Sequence, residues 1–171
     1  VVVAGVSGSG KSSLCKAGVL PAIADGALVD ARPWRLVALV PGAAPATALV
    51  AALAPALGRP EHELAAQLAR DPAELARAVR AASADGRPLV LFVDQLEELV
   101  TLAPPDEARA VAAALGQLAV PTPTVRMLAT VRSDFLTRVA ALVGPAELLT
   151  RAVHLLLPPG PDELQIGRAH V

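Results

Sequence analysis

Gly5-Val6-Ser7-Gly8-Ser9-Gly10-Lys11-Ser12 places its glycines, lysine and serine in the spacing G-x-x-x-x-G-K-[ST]. That spacing suits holding a chain of phosphates. Glycines let the backbone wrap closely and aim successive N–H groups at phosphate oxygens. The positive end of a following helix adds to the field. In this reading Lys11 reaches the β- and γ-phosphates and the Ser12 hydroxyl ligates Mg²⁺. Gly5, Ser7, Gly8, Ser9, Gly10, Lys11, Ser12 and Ser13 are the candidate nucleotide-binding residues. Ser13 is assigned either to the α-phosphate or simply to a helix start.

A second acidic group should stand at the carboxyl end of another strand. "LVLFVD" ends on Asp94 and supplies it, as a Walker-B aspartate holding Mg²⁺ through water. Many P-loop ATPases place a glutamate directly after that aspartate, whereas Gln95 follows here and then Glu97 and Glu98. Either glutamate is a candidate for orienting the attacking water, and Gln95 is a third. Asp94-x-x-Glu97 also has the spacing of a capping box, which would simply start a helix. Thr130 and Arg132 share one face of a further strand, because side chains alternate. Arg132 is expected either to meet a γ-phosphate or to pair with Asp134 at the surface.

The elements that must position these groups follow from apolar runs alternating with helical stretches. Strands are expected over Val1–Gly5, Trp34–Val40, Pro88–Asp94, Thr124–Arg132 and Val153–Pro158. Helices are expected from Lys11 to about Leu20, broken by Pro21, and over Ala46–Leu57, Glu61–Arg70 and Pro72–Ala82. Further helices fall at Gln95–Leu102, Asp106–Leu118, Asp134–Val143 and, briefly, near Ala146–Arg151. The fold class is α/β, a three-layer P-loop NTPase fold whose five-stranded sheet is mostly parallel, with helices on both faces. Its expected strand order is 5-1-4-3-2.

The chain has 171 residues, 54% hydrophobic, 18% charged and 2% aromatic, which suffices for one packed domain. A net charge of −1 and few rings exclude the footprint of a nucleic-acid binder. The single cysteine, Cys15, excludes a disulfide framework and fits a cytoplasmic setting. No apolar run reaches the roughly 18 residues of a membrane span. Cys15 reads as a buried helix wall, Trp34 as a core anchor, His62 as solvent-facing and His154 as structural. Residues 1–164 read as an NTPase core whose flanks are missing, and 165–171 as a non-native tail.

With these residues placed, the chain resembles the novel STAND NTPase family of signal-transducing P-loop ATPases. "VAGVSGSGKSSLCKAGVLPAI" is similar to that family's phosphate loop and first helix. "LVLFVDQLEELVT" matches its unusual run of Gln and then paired glutamates after the aspartate, and "LATVRSDFL" and "VALVPGAAPATALVAALA" match two further blocks. Val40 departs from the pattern, standing where an arginine is common. The resemblance implies a slow, switch-like hydrolase of ATP, preferred over GTP, using Mg²⁺. It places Lys11, Ser12, Asp94, Glu97, Glu98 and Arg132 in nucleotide roles, and implies protein partners through flanking sensor or effector domains and a nucleotide-dependent oligomer. A small-molecule kinase and a scaffold without hydrolysis are the alternatives. A transporter ATPase lacks its Leu-Ser-Gly-Gly-Gln-like signature here, and a GTPase lacks its Asn-Lys-x-Asp.

Overall fold

The computed structural model describes residues 1–28, 33–84, 87–144 and 153–157. Five strands, β1 (Val2–Gly5), β2 (Arg35–Leu39), β3 (Leu89–Val93), β4 (Val125–Arg132) and β5 (Val153–Leu155), form one sheet. Their order is β2-β3-β4-β1-β5 and every pairing is parallel. This is the expected order read from the opposite edge.

β1, β3 and most of β4 are apolar runs buried on both faces because helices cover them, whereas the edge strands β2 and β5 are partly exposed. Alternate residues divide between two cores. On one face Ala4, Leu39, Leu91, Val93, Met127 and Val131 pack with α3 (Pro45–Leu57), α4 (Glu61–Arg70), α5 (Pro72–Ala84), α7 (Pro105–Ala119) and α8 (Leu136–Val143). On the other, Val3, Val90, Phe92 and Leu128 pack with Cys15, Leu20 and Trp34. Cys15 and Trp34 are therefore buried as expected, and His62 and His154 are exposed. Gly116 permits the close crossing of α7 and α8, since a Cβ there would lie 2.3 Å from the Val143 carbonyl oxygen.

Three helices differ from expectation. Pro21 does not break the first one. α1 (Lys11–Leu14) passes through a π-helical turn, Cys15–Val19, into α2 (Leu20–Ala24). A proline inside an α-helix lacks its N–H and its ring crowds the carbonyl four residues back. Here the ladder has already widened: the Leu20 N–H bonds to the Cys15 oxygen five residues back.

The helix expected over 95–102 shrinks to α6 (Glu98–Thr101). Backbone ties to β4 delay its start, because Gln95 N donates to Thr130 Oγ1 (2.9 Å) and Leu96 N to Thr130 O (2.9 Å). A 3-10 turn, Ser133–Phe135, likewise precedes α8. The last strand ends at Leu155 rather than at Pro158, and the expected short helix at 146–151 and the tail 165–171 lie outside the described residues.

Candidate functional site

β1 lies between β4 and β5, and its chain leaves the sheet at Gly5 into the glycine-rich loop. Gly8 (φ 77°) and Gly10 (φ 83°) take left-handed conformations that a side chain would strain. Gly5 is required for another reason. A Cβ there would meet the Leu156 carbonyl oxygen at 2.6 Å and Ser9 Oγ at 2.8 Å.

Lys11 is 8% exposed and its Nζ folds over the loop, donating to Gly5 O (2.9 Å) and Val6 O (2.8 Å), with Ser9 Oγ at 3.5 Å. The first-turn N–H groups of the helical run beginning at Lys11 have no intrahelical acceptor, so they are available to an anion.

Asp94 caps the carboxyl end of β3 and is buried beneath the loop. Its Oδ1 accepts from Ser12 Oγ (2.6 Å) and from Thr130 Oγ1 (2.6 Å). Its Oδ2 faces Lys16 Nζ at 2.7 Å. Burial pushes this carboxyl up, but donation by Lys16, Ser12 and Thr130 and the Lys16 charge outweigh it, holding Asp94 below its ordinary 3.8. The same burial, with the Asp94 charge nearby, raises the Cys15 thiol above its ordinary 9.0.

Asp94 and Glu97 form no capping box. Glu97 Oε2 accepts from Arg132 N (3.2 Å), and Asp94 N donates to Leu39 O. Glu98 Oε2 turns toward β2 and accepts from Gly42 N (2.8 Å). Gln95 is the one non-glycine residue of positive φ (56°) among those described. Arg132 takes the surface alternative: it pairs with Asp134 (2.6 Å) and its guanidinium lies 5.1 Å from the Phe135 ring centroid. Hydrogen bonds from Arg132 hold the Asp134 carboxyl below its ordinary value.

A cleft of about 390 Å³ lies over this floor, bordered by Ser7, Gly8, Lys11, Ser12, Gln95, Glu97, Glu98, Thr130 and Arg132. Ser13 faces outward from α1, and Gly5 is buried at the loop's base. Among the contacts that escaped the sequence reading are Lys16 on Asp94 and Gly42 on Glu98. The first had a signal, since Lys16 follows Ser12 by one helical turn and shares its face.

The donors fit a hard divalent cation. Ser12 and Asp94 offer oxygens, and the Lys16 ammonium already marks the carboxylate as a cation's partner. No group of three or more His, Cys, Asp or Glu among the described residues could hold a metal alone. Mg²⁺ ordinarily uses one or two protein oxygens together with substrate phosphates.

A parallel sheet in this order, with a glycine-rich loop between its first strand and a helix, defines a P-loop NTPase fold. The family model described as Novel STAND NTPase 1 matches residues 1–166, and the chain belongs to that family. No curated protein matches significantly.

Among solved structures, the chain is similar to the Aeropyrum pernix ORC2 protein in ADPNP–ADP complexes (TM-score 0.64, 14% identity, covering 98% of this chain and 44% of that one). It is also similar to the Aeropyrum pernix ORC1 protein in complex with DNA (TM-score 0.60, 13% identity, 97% and 41%). At these identities the likeness concerns the fold, and the chain spans less than half the length of either protein. No helix among the described residues is long and apolar enough to cross a membrane.

Proposed function

We propose that this domain binds ATP with Mg²⁺ and hydrolyses it slowly, as the conformational switch of a signal-transducing protein. The observation that carries the reading is the 2.6 Å hydrogen bond from Ser12 Oγ to Asp94 Oδ1. It brings the phosphate loop of β1 and the acid of β3 to one point, where a magnesium–triphosphate would be shared. Ser12 and Asp94 would hold the Mg²⁺, which neutralises charge on the phosphates when bound. Lys11 would exchange its loop carbonyls for phosphate oxygens, and Ser7, Gly8, Ser9, Gly10 and Ser13 would frame the phosphates.

The strand order separates the two glutamates. Glu97 is anchored at the end of β4, directly beside β1, whereas Glu98 is anchored beyond β3 on the loop after β2. Glu97 is therefore assigned to the attacking water, and Glu98 to holding the Gly42 loop. Arg132 would leave Asp134 for the γ-phosphate, reporting its presence. Sensor or effector domains outside this chain would read the switch, and the setting would be cytoplasmic. Residues 1–164 would form the NTPase core, and 165–171 a non-native tail.

The decisive measurement is the melting shift with ATP–Mg²⁺ for wild type and Lys11→Ala. A ligand that binds only the folded state stabilises it, so wild type should shift and the variant should not. Equal shifts would sink the assignment. Phosphate release without any acceptor separates a hydrolase from a kinase.

A further inference from the structure

We propose that Lys16 is a tethered counter-ion that competes with the divalent cation for Asp94 Oδ2, and so sets the metal concentration at which the site loads. The inference rests on the reading of Asp94 as a metal-holding residue.

The two oxygens of Asp94 are occupied differently. Oδ1 accepts from two hydroxyls, Ser12 and Thr130, which are neutral and fixed on α1 and β4. Oδ2 faces one cation, the Lys16 ammonium at 2.7 Å. A carboxylate whose side chain is 2% exposed is expensive to leave uncompensated. Lys16 supplies the compensation while the side chain remains 55% exposed.

The pair is therefore asymmetric. Asp94 is held at the floor, whereas Lys16 reaches in from solvent on a flexible stem and can return there with little loss of hydration. A divalent cation arriving at Ser12 and Asp94 brings its own positive charge to Oδ2, and the ammonium is released as it enters. Cation replaces cation, so the buried carboxylate is never left alone. Ser12 and Lys16, one helical turn apart, present the metal-accepting oxygen and its competitor from the same helical face.

The test reads metal binding directly, on the whole chain without nucleotide, by Mn²⁺ electron paramagnetic resonance. Lys16→Met should bind Mn²⁺ roughly tenfold or more tightly than wild type, the effect expected for removing a close competing charge. Lys16→Arg should behave as wild type. Adding Asp94→Asn to Lys16→Met should abolish the gain. Lys16→Gln keeps a hydrogen-bond donor without the charge and should show the same gain, so it carries the test if the Met variant does not fold.

Equal Mn²⁺ curves for wild type and the uncharged variants would overturn the proposal, as would a gain that survives Asp94→Asn. ATP binding, measured on the same proteins, separates the two readings. A Lys16 effect on Mn²⁺ with no ATP binding removes the nucleotide reading alone. Normal ATP binding with unchanged Mn²⁺ curves removes the Lys16 reading alone.

Discussion

Thr130→Val isolates the hydroxyl on which the floor of the site depends. Thr130 is 1% exposed. Its Oγ1 donates to Asp94 Oδ1 at 2.6 Å and accepts from Gln95 N at 2.9 Å. Valine fills nearly the same volume, so packing changes little, but both hydrogen bonds vanish. A hydrogen bond to a charged group contributes about 1.5–3 kcal/mol, and leaving the part-buried Gln95 N–H unpaired adds about 1 kcal/mol, the low end for a buried donor. The expected loss is therefore about 2.5–4 kcal/mol, a large share of the roughly 5–15 kcal/mol that keeps a domain folded. For a chain of this size it lowers the melting temperature by about 10 °C or more.

Thr130→Ser is the companion variant. It keeps the hydroxyl and loses one methyl, for about 1 kcal/mol. Urea unfolding at neutral pH measures both. Equal losses for Ser and Val, or a Val loss below about 1 kcal/mol, would refute the assignment of the stabilisation to the hydroxyl. The pH dependence gives a second check. Asp94 lies below its ordinary 3.8 in the folded protein, so its contribution is present above 3.8 and disappears as the pH falls through the folded value. With one donor removed the folded value moves back toward 3.8, so that loss should be smaller, and complete at higher pH, in Thr130→Val than in wild type.

Three further outcomes are expected. Glu97→Gln should lower the rate of phosphate release by about 10²-fold or more with little change in ATP affinity, whereas Glu98→Gln should act mainly by loosening the Gly42 loop; the reverse ranking in a single-turnover assay would exchange their roles. Gly116→Ala should destabilise by about 1–3 kcal/mol in urea unfolding, because its Cβ would meet the Val143 carbonyl at 2.3 Å. Cys15, buried and with its thiol raised above 9.0, should resist iodoacetamide at mildly alkaline pH until the domain unfolds; prompt alkylation of native protein, read by mass spectrometry, would contradict its placement.

The sheet was legible because its central strands β1, β3 and β4 are apolar runs that burial on both faces explains, and "LVLFVD" names its own carboxyl end. Lys11, Ser12 and Asp94 were legible because the phosphate chemistry needs those residue types at those ends. What escaped depends on distances between elements that are far apart in sequence. Nothing local to Gln95–Leu102 shows that β4 ties down its first two amides and postpones the helix. Pro21 reads as a helix breaker until the turn before it is seen to widen. The partner of Glu98 is a backbone amide, Gly42, and an amide leaves no trace in residue type. Lys16 was visible in principle, but an exposed lysine on a helix ordinarily faces solvent.

The first residue of the phosphate loop is held from behind. Leu156 N donates to Ala4 O at 2.7 Å, and the Leu156 carbonyl stands where a Cβ on Gly5 would come within 2.6 Å. The backbone leaving β5 thus rests directly on the root of the loop, with no side chain between as a cushion. A shift of the Leu156 backbone would have to be accommodated at Ala4 and Gly5, whose carbonyl Lys11 also bonds. The backbone after β5 and the lysine that closes the loop thus lean on the same short stretch, Ala4 and Gly5.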